Sequence, residues 1–254
     1  MPYITIDDVI QLYYEEEGNG KPLLFIHPPG MGSMVFANQR ALSSDFRVIT
    51  YDMRGNGKSS PSNCPISIPL LAEDIKRLFD TLELERAVVC SYSNGGSTAL
   101  EFALRYPHHV EQLILIGGFS EVSTIWLHAE FLLGIYIVKG RAVSFLAKVL
   151  GQSHGKNTAE KKAIAQYVKL ANKNDLLAMY KEGLTYCCTN RLSQLTMPLL
   201  LIYGACDYYM HPYEALFTTY APHAKVVYIE KARHQIPTKH FCELNAIIKT
   251  YCLT

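Results

Sequence analysis

No stretch of this 254-residue sequence stays apolar long enough to cross a bilayer as a helix. The longest such run, Ile125 to Val138, has 14 residues and is broken by His128, Glu130 and Gly134. A spanning helix needs ~20. The first residues, MPYITIDDVIQLYYEEEG, lack the basic-then-apolar order of a secretory signal. Charge of one sign is also missing: Lys and Arg total 24 against 23 Asp and Glu, a formal net charge of +1. Nucleic acid and anionic membranes therefore gain no electrostatic handle. The seven cysteines, Cys64, Cys90, Cys187, Cys188, Cys206, Cys242 and Cys252, form no CxxC or Cys/His spacing of a zinc site. Internal repeats and low-complexity segments are absent. These gaps lead to the expectation of a reduced, cytoplasmic protein, with buried thiols acting as small hydrophobes. Its expected partner is a small-molecule substrate, with no metal or other cofactor, in a monomer or homodimer.

What is present is a globular composition, 49% hydrophobic and 19% charged. Short apolar runs alternate with helical patterns, which predicts a mainly parallel sheet covered on both faces. Tyr3 to Ile6 and Gln11 to Glu16, around a turn at Asp7-Asp8, read as an opening hairpin. Pro22 to His27, Phe46 to Tyr51, Ala87 to Tyr92, Gln112 to Gly117, Pro198 to Tyr203 and Ala224 to Ile229 read as buried strands. Amphipathic helices are predicted near Met34 to Leu42, Pro69 to Leu82, Gly95 to Tyr106, Tyr213 to Tyr220 and His240 to Leu253. Between about Ser120 and Thr196 no strand is predicted, only helical stretches broken at Gly140, Gly151 to Gly155 and Asn172 to Asn174. The expected fold is thus α/β: a mostly parallel eight-stranded sheet in one domain, residues 1–254, with an inserted helical cap at about 120–196.

The strongest local signal is Val88-Val89-Cys90-Ser91-Tyr92-Ser93-Asn94-Gly95-Gly96, an apolar strand, a sharp turn and a glycine-led helix. A serine on such a turn is held in a strained backbone with its Oγ exposed above the sheet. The turn needs small residues two before and two after the nucleophile, which Ser91 and Gly95 supply for Ser93. Choosing Ser91 instead would put bulky Val89 at a crowded position. The pattern departs from GxSxG, because Ser91 stands where glycine is usual. Further upstream, Gly57-Lys58-Ser59 looks like the end of a phosphate loop, but that pattern needs glycine five residues earlier, where Asp52 stands.

The octet Asp52-Met53-Arg54-Gly55-Asn56-Gly57-Lys58-Ser59 instead matches D-x-R-G-x-G-x-S, and here the chain resembles the α/β-hydrolase fold superfamily, in the branch with a helical cap. The resemblance makes this octet scaffold. It implies an acid after the strand that follows the cap, and Gly204-Ala205-Cys206-Asp207 matches G-x-x-D there. It implies a histidine after the last strand, which selects His234. The order Ser93, Asp207, His234 is that of the fold. His234 would act as base toward Ser93, with Asp207 fixing the imidazole. His240 is the fallback base and Glu121 the fallback acid.

The resemblance also implies two oxyanion donors. One is the Asn94 backbone N–H. The other should come from the loop after Pro22 to His27, but the position aligned with it is Pro29, which has no N–H. A shifted loop, with Gly30 or Met31 donating, is expected, and Gly30 is the named candidate; His27 is read as an anchor for that loop. The predicted cap is rich in Trp126, Leu127, Phe131, Leu132, Leu133, Ile135, Tyr136 and Phe145. Most are expected to bury against neighbouring helices. The rest would line an apolar pocket, with Tyr92, Asn94, Tyr208, Tyr209 and Met210 as further candidates. The implied activity is hydrolysis of a small, mostly apolar ester, lactone or thioester. Carbon–carbon bond hydrolysis, lyase or cofactor-free haloperoxidase chemistry on the same residues remains open, as does a non-catalytic binding role.

Overall fold

Alternation of β-branched and aliphatic runs with amphipathic segments produces a three-layer arrangement in the computed structural model, which describes residues 2–6, 9–140 and 142–253. Eight strands form one sheet: β1 (Tyr3–Ile6), β2 (Ile10–Glu17), β3 (Lys21–Ile26), β4 (Phe46–Tyr51), β5 (Ala87–Tyr92), β6 (Val110–Ile116), β7 (Leu199–Gly204) and β8 (Lys225–Ile229). Their spatial order is β1-β2-β4-β3-β5-β6-β7-β8. Only the β1/β2 and β2/β4 pairs are antiparallel; the other five run parallel. The predicted turn at Asp7-Asp8 lies outside the described residues.

The central strands are apolar on both faces, as a sheet covered by helices on both sides requires. Alternate residues feed two cores. Leu24, Ile26, Val89 and Leu113 join a cluster with Leu71, Ile75 and Phe79 of α1 (Ile68–Thr81) and Leu100 and Phe102 of α2 (Gly95–Arg105). Leu23, Phe25, Val88 and Cys90 face the other way, toward Leu244, Ile248 and Cys252 of the C-terminal helix Phe241–Leu253. The sequence places Ser67 before α1, and its side chain accepts from the Leu70 N–H as a helix cap.

The predicted amphipathic helix at Met34 to Leu42 is instead a 3-10 helix over Ser33–Ser44, kinked at Phe36. The buried residues Ser33, Phe36, Gln39 and Leu42 recur every three positions, the repeat of a 3-10 and not of an α-helix.

Between β6 and β7 the chain is helical: α3 (Ile125–Lys139), α4 (Val143–His154), α5 (Thr158–Val168), α6 (Lys173–Thr185) and a 3-10 turn at Thr189–Gln194. The predicted break at Gly151 is not one, because α4 runs through it to His154. Gly151 serves packing: a Cβ there would lie 2.4 Å from the Lys161 carbonyl oxygen of α5. The Asp52–Ser59 octet ties this insert to the sheet. Asp52 Oδ2 accepts from the Tyr167 hydroxyl at 2.8 Å and Oδ1 from the Ser33 N–H at 2.7 Å. Arg54 is fully buried and pairs with Asp74 of α1. Three further helices, α7 (His211–Tyr220), α8 (Ile236–Lys239) and α9 (Phe241–Leu253), complete the chain. Among the described residues no helix is long and apolar enough to cross a membrane.

Candidate active site

Strand β5 ends at Tyr92 and α2 begins at Gly95, leaving two residues to reverse direction. Ser93 takes the strain, with φ 52°, a left-handed conformation seldom adopted by residues with a side chain. Its N–H donates to the Ile116 carbonyl at 2.8 Å, which pins the turn to β6. The crowding at the turn comes from β3: a Cβ on Gly95 would lie 2.6 Å from the Ile26 carbonyl oxygen. Gly96 is looser, its nearest Ser91 atom being Oγ at 3.7 Å from the added Cβ. A serine is therefore accommodated where the usual pattern has glycine.

Two loops at the same sheet edge carry the acid and the imidazole. They interlock at Gly204, where a Cβ would meet the Ala232 carbonyl oxygen at 2.4 Å, and the Cys206 N–H donates to that oxygen at 2.8 Å. Asp207, 2% exposed, accepts at Oδ2 from His234 Nδ1–H at 2.8 Å. A carboxylate only accepts, so this bond fixes the tautomer and leaves Nε2 as acceptor. The Ser93 hydroxyl then donates to Nε2 at 2.9 Å. The imidazole is flanked by the Tyr92 and Tyr209 rings, at centroid distances of 5.3 and 5.9 Å. The structure thus brings Ser93, Asp207 and His234 into one hydrogen-bonded chain.

The fallback residues lie elsewhere in the hydrogen-bond network. Glu121 accepts from Thr189 and Cys187, and those bonds hold its carboxyl below the usual range. His240 faces Glu243 at 3.8 Å at the start of α9. His27 anchors its loop: it is fully buried, its Nδ1–H donates to the Pro28 carbonyl and its Nε2 accepts from the Met53 N–H at 2.9 Å. Burial pulls its pKa below the ordinary histidine value, against the opposing charge of Asp52.

The expectation of Gly30 as an oxyanion donor needs correction. Its N–H donates to Asn56 Oδ1 at 2.7 Å, so the octet already holds it. The Met31 N–H closes a turn onto the Pro28 carbonyl at 3.3 Å. The Asn94 N–H, by contrast, opens α2, where the first N–H groups of a helix have no intrahelical acceptor.

A cavity of about 90 Å³ lies over Ser93, Asn94 and His234. Pro28, Pro29, Met31 and Tyr92 form its sheet side; Leu127, Glu130, Phe131, Leu150, His154 and Tyr180 come from the helical insert. Of the apolar α3 residues, Leu127 and Phe131 line the cavity, while Trp126 and Tyr136 are 73% and 68% exposed, contrary to the expected burial. The reason is that α3 is apolar all round, so one of its faces must meet solvent. Tyr208 is likewise exposed and Met210 is buried away from solvent. Glu130, His154 and Tyr180 escaped the sequence reading. Glu130 alone carried a signal, as the one acid within the apolar α3. Burial first, then the charges of His234 and Lys239, lower the pKa of His154 to about 3.

A family model described as the alpha/beta hydrolase fold matches residues 21–239. Among curated proteins, a putative carbamate hydrolase, RutD, of Caulobacter sp. (strain K31) is 37% identical over 92 residues, 36% of this chain and 34% of that protein. A 2-hydroxy-6-oxononadienedioate/2-hydroxy-6-oxononatrienedioate hydrolase of Paraburkholderia xenovorans (strain LB400) is 35% identical over 119 residues, 44% of this chain and 41% of that protein. Both alignments span less than half of the relatives' own length. Among solved structures, the enol-lactonase from Burkholderia xenovorans LB400 superposes with a TM-score of 0.86 at 19% identity, covering 100% of both chains. An esterase from Exiguobacterium antarcticum gives 0.89 at 18% identity, with 99% of each chain covered. At these identities the likeness is one of fold. The family match spans most of the sequence, from β3 to α8, and by it this chain belongs to the α/β hydrolase fold family.

Proposed function

We propose that this protein is a serine hydrolase that cleaves a small, mostly apolar ester, lactone or thioester through a Ser93 acyl-enzyme, with helices α3 to α6 as a cap over the site. The observation that carries this reading is the continuous relay Asp207 Oδ2, His234 Nδ1, His234 Nε2, Ser93 Oγ, at 2.8 and 2.9 Å, opening into a cavity. A serine hydroxyl is a poor nucleophile at neutral pH and needs such a base. In the first step Ser93 Oγ attacks the carbonyl carbon while His234 Nε2 takes its proton. Asp207 stabilises the resulting imidazolium, and the Asn94 N–H faces the developing oxyanion. His234 returns the proton to the leaving group, and water activated by the same imidazole releases the acid.

The size of the cavity supports a small substrate. At about 90 Å³ it falls well below the ~300–1,000 Å³ of pockets that enclose drug-sized ligands. Leu127, Phe131 and Leu150 favour a short apolar acyl or alkyl group.

The test is a fluorophosphonate probe together with p-nitrophenyl acetate and butyrate. The wild-type protein is expected to be labelled at Ser93 and to hydrolyse both esters, and Ser93→Ala to lose both properties with an unchanged circular dichroism spectrum. A folded wild-type protein that neither labels nor turns over would instead be a ligand-binding member of the family.

A further inference from the structure

The proposed acyl transfer needs a second hydrogen-bond donor at its oxyanion, and residues 28–31 of the loop after β3 offer none. Pro28 and Pro29 have no N–H, and the N–H groups of Gly30 and Met31 are bonded to Asn56 Oδ1 and the Pro28 carbonyl. One preorganised donor accounts for ~10²–10³ in rate.

We propose that the hydroxyl of Tyr180, on the helical insert, is that second donor. This inference rests on Ser93 being the nucleophile. Helix α6 docks directly on the residue after the nucleophile: a Cβ on Gly183 would lie 2.4 Å from Asn94 Nδ2. Tyr180 precedes Gly183 by three positions, so both lie on the same helix face. The phenol thus enters the cavity from the helix that packs on Asn94, and the proposal sets its hydroxyl against the carbonyl oxygen that Ser93 attacks. His154, the other polar ring from the insert, lies toward His234, whose charge helps to lower its pKa.

The ring of Tyr180 is fixed from two directions. Its Cε1 would be 2.8 Å from a Cβ on Gly134 of α3, so it lies on that glycine, and the Phe131 ring meets it edge-on at 6.3 Å. Tyr180 lines the cavity with Ser93, and its hydroxyl makes none of the side-chain hydrogen bonds found among the described residues. A phenol held in place with its O–H uncommitted is a preorganised donor. It also keeps its proton: burial, and secondarily the Glu130 carboxylate, raise its pKa above the ordinary tyrosine value. In the step itself the Ser93 Oγ–carbon bond forms and the carbonyl π pair moves to oxygen. The proton of Ser93 passes to His234, and the oxyanion accepts from the Asn94 N–H and the Tyr180 O–H. Tyr180 donates a hydrogen bond throughout and transfers no proton.

Tyr180→Phe removes one oxygen and little else. For p-nitrophenyl butyrate it is expected to lower kcat ~10²–10³-fold and to leave KM within about twofold. Affinity for butane-1-boronic acid, whose Ser93 adduct is tetrahedral, is expected to fall by a similar factor. Affinity for butyramide, a trigonal isostere that does not react, should change by no more than about twofold. Equal losses toward both ligands, or a kcat within about twofold of the wild type, would overturn the assignment while leaving the Ser93 mechanism standing. An absence of fluorophosphonate labelling in the wild-type protein would remove the mechanism and the assignment together.

Discussion

Gly117 and His234 are so close that a Cβ added to the glycine would lie 2.8 Å from the imidazole Cε1 and 3.0 Å from Nδ1. Gly117 follows β6 with φ 56°, and its N–H donates to the Ile202 carbonyl at 2.8 Å, so it is held by backbone on the β7 side and cannot retreat. The imidazole therefore rests on a bare α-carbon. Gly117→Ala is expected to displace the ring from Ser93 and lower kcat for p-nitrophenyl butyrate by ~10²-fold or more, the effect of ~1 Å of misplacement. The left-handed backbone would add about 1–2 kcal/mol of destabilisation, measurable by urea unfolding. Undiminished kcat in a folded Gly117→Ala protein would show that the ring has room the geometry denies it.

Ser91 gives a prediction of the opposite sign. Its Oγ is buried in β5 with no hydrogen-bond partner among the described residues. An unsatisfied buried hydroxyl costs about 1–3 kcal/mol, and alanine keeps the rest of the side chain. Ser91→Ala is expected to raise the urea midpoint without loss of esterase activity. A lower midpoint would mean that the hydroxyl is satisfied after all.

Both positions show how far local sequence carries. The strands were legible because buried parallel strands are short, β-branched and bounded by turns, whereas Asp207 and His234 were singled out only through the family resemblance, which implies an acid and a histidine after particular strands. The bare floor under His234 was not legible, since a glycine after a strand looks the same whether it meets a ring or solvent. The Gly30 N–H was misjudged for a similar reason. Its acceptor, Asn56, is 26 residues away in a loop whose side chains no periodicity orients. The inward residues of the insert stayed hidden because α3 is apolar on every side, which erases the amphipathic signal that separates core from surface.

Asp74 tests the scaffold apart from the chemistry. Arg54 is fully buried, and its Nε donates to Asp74 Oδ2 at 2.6 Å. Asp74→Asn takes one negative partner from a buried guanidinium, and weakening a buried pair in this way costs up to about 3–5 kcal/mol. Asp74→Asn is expected to lose that much in urea unfolding. At temperatures where the variant remains folded its KM should stay near the wild-type value, because the pair lies under α1 and away from the cavity. A loss below about 1 kcal/mol would mean that solvent reaches the guanidinium.

The acid limit of stability should be set first by histidines and only later by carboxylates. His154 titrates in the fold at about 3, and His27 is also lowered by burial. In the unfolded chain both titrate near ~6.5. Above that pH neither state binds these protons and stability is unaffected. Below it the unfolded chain takes them up while the fold does not, so stability falls as the pH drops. For His154 the loss continues toward pH 3, at up to 1.36 kcal/mol per pH unit for the one proton. Lowered carboxylates such as Glu101 and Glu121 contribute in the same direction, but only as the pH approaches their unfolded value of ~4.3. In the interval from about pH 6.5 to 5 the lowered histidines drive this fall, while Asp74 and Asp175, whose carboxyls burial raises, act in the opposite direction. There, His154→Gln is expected to flatten the plot of unfolding free energy against pH by up to one proton's slope, leaving the slope due to His27 and those two carboxyls. An unchanged slope would mean that His154 is protonated in the fold, with the buried imidazole paired to an anion at the cavity wall.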